Sequence, residues 1–198
     1  MKIGVCCSSS GNIDKRYIES SKRILTQIFE KENDLVFGAM NNGIMGAAYK
    51  AAKENNRQVI GIAPEIYKDD FKELECDKEI LTKDINSRID KLTENSDILM
   101  FMPGGVGTLH ELMTAIERKR SKEFNKPIIV CNDTGFFNEL LKMLDKVYTQ
   151  RFTDYGSMRF NYNVANDSRT VIDLVNKYSN MRNAYEKSVK DSDERFVK

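Results

Sequence analysis

Histidine is nearly missing from this sequence and cysteine is sparse. His110 is the single histidine, and the four cysteines, Cys6, Cys7, Cys76 and Cys131, form no CxxC pair. One histidine excludes a histidine-rich metal centre, and unpaired thiols give no spacing for a structural zinc site, so no metal is expected. Cys6 and Cys131 fall in apolar, strand-like runs, where a thiol serves as a small core hydrophobe in a reducing compartment. A cytoplasmic location is therefore expected. No apolar run approaches the roughly 20 residues that cross a bilayer, and Met1-Lys2-Ile3-Gly4-Val5 enters a strand with no secretory pattern. Neither sign of charge is in excess: 31 basic against 30 acidic residues leave a net charge of +1. Proteins that bind nucleic acid electrostatically carry a clear basic excess, so neither nucleic acid nor membrane is expected as a partner.

What is present is an ordinary globular composition, 40% hydrophobic and 31% charged over 198 residues. That is enough for one α/β domain with a full core and short for two. Short β-rich runs alternate with helical spacing. Strands are predicted over Ile3 to Cys7, Asp34 to Phe37, Gln58 to Ile62, Asp97 to Met102, Pro127 to Cys131 and, weakly, Tyr162 to Ala165. Helices are predicted over Ile13 to Lys31, Asn41 to Asn55, Lys83 to Asn95, from Thr108 onward, Phe136 to Tyr148 and from Arg169. Within 65–82, Tyr67 to Asp77 reads as a charged loop with a short helix and the remainder is unassigned. The alternation predicts a parallel sheet with helices on both faces, a Rossmann-like domain over 1–178. Residues 179–198 read as a charged helix extension or tail.

Ligands of such sheets bind beyond the C-terminal strand ends. Three loops of small residues lie there: Ser8-Ser9-Ser10-Gly11, Gly38 to Gly43, and Pro103-Gly104-Gly105-Val106-Gly107. The last joins the apolar run Ile98-Leu99-Met100-Phe101 to a helix, which aims backbone N–H groups and the positive end of a helix at one point, an arrangement that suits a phosphate. It is no Walker A loop, because no Lys-Ser/Thr pair follows the last glycine. It is no dinucleotide fingerprint, because His110 holds the third glycine position. A phosphate cradle and a plain strand–helix turn both remain open. Thr108-Leu109-His110-Glu111 fits a capping box, with Thr108 as the N-cap; it equally fits a phosphate-binding hydroxyl followed by a carboxylate facing a ribose. Arg88, near the buried face of the preceding helix, is either a site residue or an arginine laid over the core edge. His110, Glu117, Arg118, Lys119 and Arg120 read as surface positions.

The run Pro103-Gly104-Gly105-Val106-Gly107-Thr108-Leu109-His110-Glu111 resembles the PGGxGTxxE signature of the LOG (Lonely Guy) family. These are cytokinin riboside 5′-monophosphate phosphoribohydrolases, often labelled as lysine decarboxylases. The likeness runs from about Ile3 to Val175. It takes in Cys6-Cys7-Ser8-Ser9-Ser10-Gly11, Gly43-Ile44-Met45-Gly46, Val59 to Pro64 and Lys126-Pro127-Ile128. The resemblance implies a homodimer with sites near the subunit interface, no cofactor, and Arg88 and Glu111 as the catalytic pair. It departs from the pattern at four places. Arg88-Ile89 stands for an arginine–lysine pair, Gly38-Ala39-Met40 for three glycines, Cys7 for the glycine after the first strand's cysteine, and Thr114 for a second glutamate.

On this reading a nucleoside 5′-monophosphate is the substrate. Gly104, Gly105, Gly107 and Thr108 hold its 5′-phosphate, with Ser9, Gly43 and Met45 as further binding candidates. Glu111 supports the oxocarbenium-like ribose and orients or deprotonates water. Arg88 stays protonated and acts by holding phosphate or ribose and positioning Glu111. The alternative is a nucleotide-binding sensor of the same fold that has lost catalysis, suggested by Ile89 and Thr114. Amino-acid decarboxylation would require a pyridoxal-phosphate lysine, and no lysine stands out.

Overall fold

The structure is a computed structural model and describes residues 1–153 and 161–196. Among the described residues, seven strands alternate with helices: β1 (Lys2–Cys6), α1 (Lys15–Phe29), β2 (Asp34–Phe37), α2 (Gly43–Glu54), β3 (Val59–Pro64), a 3-10 helix (Glu65–Glu73), β4 (Lys78–Thr82), α3 (Ile85–Asn95), β5 (Ile98–Phe101), α4 (Val106–Arg120), β6 (Ile128–Cys131), α5 (Asn138–Thr149), β7 (Asn163–Ala165) and α6 (Ser168–Phe196). All join one sheet in the order β4-β3-β2-β1-β5-β6-β7. Every pairing is parallel.

The period of two along each strand sends alternate side chains to opposite faces. Ile3, Val5, Leu35, Phe37, Ile98 and Met100 meet α1, α2 and α6 through Ile24, Leu25, Ala48, Val171 and Val175. Cys6, Val36, Ile60, Leu99, Phe101 and Ile128 meet α3, α4 and α5 through Leu92, Leu112, Ile116 and Leu144. Helices therefore cover both faces, as the alternation implied. Among the described residues no helix is long and apolar enough to cross a membrane.

The charged loop with a short helix read over Tyr67 to Asp77 holds most of the 3-10 helix, and the unassigned residues after it form an edge strand, β4, whose Ile80 pairs with Ile62. Its exposed Lys78, Glu79 and Leu81 hide the alternation, and only Thr82 is buried. The helix expected from Thr108 begins two residues earlier, at Val106. The helix expected from Arg169 runs unbroken to Phe196, through the point where the tail was placed; 197–198 lie outside the described residues.

β1 has β2 on one side and β5 on the other. The chain builds outward through β2, β3 and β4 and then returns across β1 to start the second half with β5. Between the C-terminal ends of β1 and β5 the crossovers diverge and leave a crevice, the topological switch point at which such sheets bind ligands.

Candidate active site

At that crevice three loops are tied to one another. Ser8 N–H donates to Pro103 O at 3.0 Å, linking the loop after β1 to the glycine turn. Ser8 O in turn accepts from Ile44 and Met45 N–H, at 3.0 and 3.1 Å, which docks the first turn of α2. Gly43 makes this docking possible: its φ is +59°, and a Cβ there would lie 2.5 Å from Ser10 O. Gly43 thus shapes the loop from behind and does not line the cleft.

α4 starts with Gly105 as its N-cap, and among the described residues no side chain caps it. The first turn's N–H groups are left for a ligand or solvent. Thr108 is accordingly the third helical residue rather than the cap, and Glu111 the sixth. The capping-box reading fails, because the glycines carry the chain into helical geometry before Thr108 is reached. Thr108 and Glu111 are both buried, at 4% and 5% exposure, although each lies on a helix that begins at the surface.

A cleft of about 290 Å³ is lined by Cys7, Ser8, Ser9, Ser10, Met45, Arg88, Gly105, Gly107, Thr108 and Glu111. Arg88, Glu111, Gly105, Gly107, Thr108, Ser9 and Met45 are thereby brought together. Gly104 lies behind the wall, against the Thr108 side chain. A second cavity of about 210 Å³ shares Ser9, Met45, Arg88, Gly107 and Glu111 and adds Gly38, Met40, Pro64, Tyr67 and Ile85. The two cavities meet at Arg88 and Glu111. The first is polar on its far side, with serines and the uncapped helix end. The second is walled by thioethers, a phenol ring and aliphatic carbon. Sequence reasoning did not single out Met40, Tyr67 or Ile85 as lining residues. Ile85 is about half exposed.

Arg88 Nη2 lies 2.8 Å from Glu111 Oε1. Arg88 Nε is buried with no hydrogen-bond partner among the described residues, and Glu111 Oε1 has none beyond this ion pair. A buried donor left open at the junction of two cavities is what a ligand hydroxyl or a water would satisfy. The Arg88 guanidinium borders both cavities. Arg88 comes close because position 38 is glycine: a Cβ there would stand 2.5 Å from Nη2. Next to it Ala39 has a φ of 57°, a left-handed conformation that favours the glycine of the family pattern. Of the other departures, Ile89 is a core residue at 5% exposure, and Thr114 is half-buried and outside both cavities.

Burial pushes the Glu111 carboxyl above the usual carboxylate range. The Arg88 guanidinium, a hydrogen bond from the Cys6 thiol and His110 pull the other way. A carboxylate of raised basicity beside a fixed cation suits proton transfer. His110 is exposed. Glu117 and Arg120 pair with each other at the surface, while Arg118 reaches Asp90 of α3 and Lys119 donates to Lys126 O at 2.9 Å. All four cysteines are free thiols.

Fold and crevice together define a Rossmann-like α/β protein with an uncapped helix N-terminus set beside a buried arginine–glutamate pair. The family described as "Possible lysine decarboxylase" matches residues 45–175. The chain belongs to this family, the LOG family. A rice protein (Oryza sativa subsp. japonica) named "Probable cytokinin riboside 5'-monophosphate phosphoribohydrolase LOG4" is 28% identical over 153 residues, 77% of this chain and 66% of the relative. The Arabidopsis thaliana cytokinin riboside 5′-monophosphate phosphoribohydrolase LOG1 is 30% identical over 157 residues, 76% of this chain and 71% of the relative. The chain thus spans about two thirds of the length of these relatives. Among solved structures, the molybdenum cofactor binding protein of Rippkaea orientalis superposes with a TM-score of 0.66 at 22% identity, over 89% of this chain and 95% of that one.

Proposed function

We propose that this protein hydrolyses the N-glycosidic bond of a nucleoside 5′-monophosphate, releasing a free base and ribose 5-phosphate. One observation carries the reading. The Glu111 side chain, on a helix whose uncapped N-terminus borders the same cleft, is turned inward and ion-paired with Arg88 where the two cavities meet. The distribution of chemistry fits the three parts of a nucleotide. The 5′-phosphate sits against Gly105, Gly107, Thr108 and Ser9, where backbone N–H groups and the helix dipole favour an anion. The ribose lies at the Arg88–Glu111 junction. The base occupies the apolar cavity of Met40, Met45, Tyr67 and Ile85.

Bond cleavage sends the electron pair of the C1′–N bond to the base and leaves positive charge on the ribose. The Glu111 carboxylate stabilises that charge and takes the proton of the attacking water, whose oxygen bonds C1′. The proton ends on the departing base, so the site returns to its starting state. Binding energy from the phosphate holds C1′ in place beside the carboxylate. Arg88 keeps its proton and fixes the carboxylate and the ribose hydroxyls. The family and the arrangement also support a cytoplasmic homodimer. Ile66, Tyr67, Ile85 and Val106 stand exposed beside the cleft-lining residues, an apolar rim that a second subunit would cover.

The test is a panel of nucleoside 5′-monophosphates, including AMP and an N6-substituted AMP, read by chromatography for free base with wild type and Glu111→Gln. Release by wild type and a loss of about 10²-fold or more in the variant are expected. Tight nucleotide binding with no base released by either protein would replace the enzyme with the sensor reading.

A further inference from the structure

The second cavity takes part of its wall from the loop that joins β2 to α2, and that loop is pinned on each side of Met40. Ala39 is fully buried, and a Cβ on Gly61 of β3 would stand 3.2 Å from the Ala39 Cβ. The backbone of Asn41 lies against α2, where a Cβ on Gly46 would stand 2.7 Å from the Asn41 carbonyl carbon. Both contacts involve atoms fixed by the backbone, so position 40 is held in place. Met40 itself is half-buried. It lines the second cavity and not the first, and it packs against the core cluster that contains Phe37, Ala39 and Met45. A methionine is ordinarily an adaptable core side chain; this one is carried by a fixed backbone and has the core at its back. We propose that Met40 is the specificity-determining residue of the site: it limits the size of the base cavity, so that a nucleotide with an unsubstituted base is bound in preference to one whose base carries a bulky group. This rests on the reading above that places the base in the second cavity.

The chemistry of the wall makes size the deciding quantity. Away from the Arg88–Glu111 junction and the flanking Ser9, the side chains lining this cavity are Met40, Met45, Pro64, Tyr67 and Ile85. The Tyr67 hydroxyl is the one strong hydrogen-bonding group among them, and Tyr67 is about half exposed. A site that pairs with the edge of its ligand rejects a wrong one through polar groups left unsatisfied, whereas an apolar wall rejects by fit. The cavity holds about 210 Å³. Its walls differ in how they give way. Tyr67 and Ile85 face solvent over nearly half of their surface and can move aside. Met45 is buried at 7% exposure, and its N–H is bonded to Ser8 O at 3.1 Å. Met40 shares that inner side. Loss of its Cγ, Sδ and Cε would enlarge the base cavity while leaving the lining of the first cavity unchanged.

Dissociation constants of AMP and of N6-benzyl-AMP, measured by calorimetry on the full chain, test this. Glu111→Gln and the double variant Glu111→Gln/Met40→Ala are compared, so that turnover does not consume the ligand. Glu111→Gln is expected to bind AMP at least about tenfold more tightly than N6-benzyl-AMP, the lower end of what a methylene-sized misfit costs in an apolar pocket. In the double variant that preference is expected to shrink by about tenfold or more, with AMP weakened and N6-benzyl-AMP strengthened. Met40→Leu in the same background conserves volume and is expected to keep the preference. Met40→Val is expected to move it in the same direction as Met40→Ala but less far, and it carries the test if the alanine variant does not fold. An unchanged preference in truncated variants that bind AMP overturns the proposal. So does a Glu111→Gln protein that binds both nucleotides alike. A preference that follows position 40, beside a wild type that releases no base, keeps the proposal and removes only the hydrolase reading. Binding of neither nucleotide by any of these proteins removes the nucleotide reading, and the proposal with it.

Discussion

Glu111 is an ionisable group folded into a place that disfavours its charge. Burial raises its carboxyl above the usual range, and Arg88, Cys6 and His110 recover only part of the cost. The consequence for stability has a definite sign. In the unfolded chain a glutamate loses its proton near about pH 4.3. As pH rises past that point the unfolded state releases its proton first and the native state still holds one. The stability contributed by Glu111 is therefore complete below the unfolded value and is lost as pH rises through the folded one. Each unit of displacement is worth about 1.4 kcal/mol. Urea unfolding across a pH series is expected to show wild type losing stability relative to Glu111→Gln as pH rises, with the difference levelling once Glu111 is ionised. The opposite slope would mean that attraction to Arg88 outweighs desolvation. The same residue sets catalysis in the proposed reaction, so the acid limb of activity should fall in the same pH window.

The N-terminus of α4, like that of α5, has no side-chain cap, and in the proposed site its N–H groups take the phosphate. α1, α2 and α3 each begin with a side-chain cap, from Asp14, Asn42 and Asp84. α4 begins with glycines and no side-chain cap. Gly107 is in its first turn, exposed and bordering both cavities, and a Cβ there would meet nothing within 4 Å. Gly107→Ala should therefore fold without strain and gain up to about 1 kcal/mol of helix propensity. The new methyl would stand where the phosphate approaches the backbone. The expected outcome is a higher melting temperature together with AMP binding weakened roughly tenfold or more, about 1.4 kcal/mol, measured by calorimetry. Equal or tighter binding would place the phosphate elsewhere. The glycine turn and its flanking strand were legible from sequence because Pro103 to Gly107 interrupts an apolar run in a way only a turn explains. The start of α4 was not, since Thr108 and Glu111 carry the same spacing as a cap, and the helical geometry already reached at Val106 distinguishes the two. β4 was hidden because an edge strand buries one face at most: Lys78, Glu79 and Leu81 face solvent, and its pairing with β3 comes from tertiary contact rather than local pattern.

At the scale of the whole molecule, the sequence alternation specified a parallel sheet covered on both faces but not the order of its strands. Which strand lies beside β1 depends on crossovers of similar length, and no local signal separates them. Yet that order decides the site, because placing β5 next to β1 sets the glycine turn opposite Ser8 to Ser10 and brings Arg88 over Glu111. The C-terminal helix stands outside this arrangement. Its first turns are integral to the fold: Val171 and Val175 are in the core, and Tyr178 OH accepts from Asn163 Nδ2 at 2.9 Å. Farther along, Arg182 pairs with Asp97, whose carboxylate also accepts Lys2 N–H at 2.8 Å and so ties the helix to the entry of β5. Both members of that pair are partly exposed, at 42% and 27%, and such pairs are worth about 0.2–1 kcal/mol. A chain ending at Asn180 keeps Val171, Val175 and Tyr178 and loses Arg182. It is expected to melt no more than about 2–4 °C lower, the shift that about 1 kcal/mol gives a domain of this size. Its kcat/KM should match wild type, because among the described residues none of α6 lines either cavity. If the shortened chain fails to fold, or folds and loses activity, the boundary proposed at 178/179 is wrong and the far end of α6 belongs to the domain that holds the site.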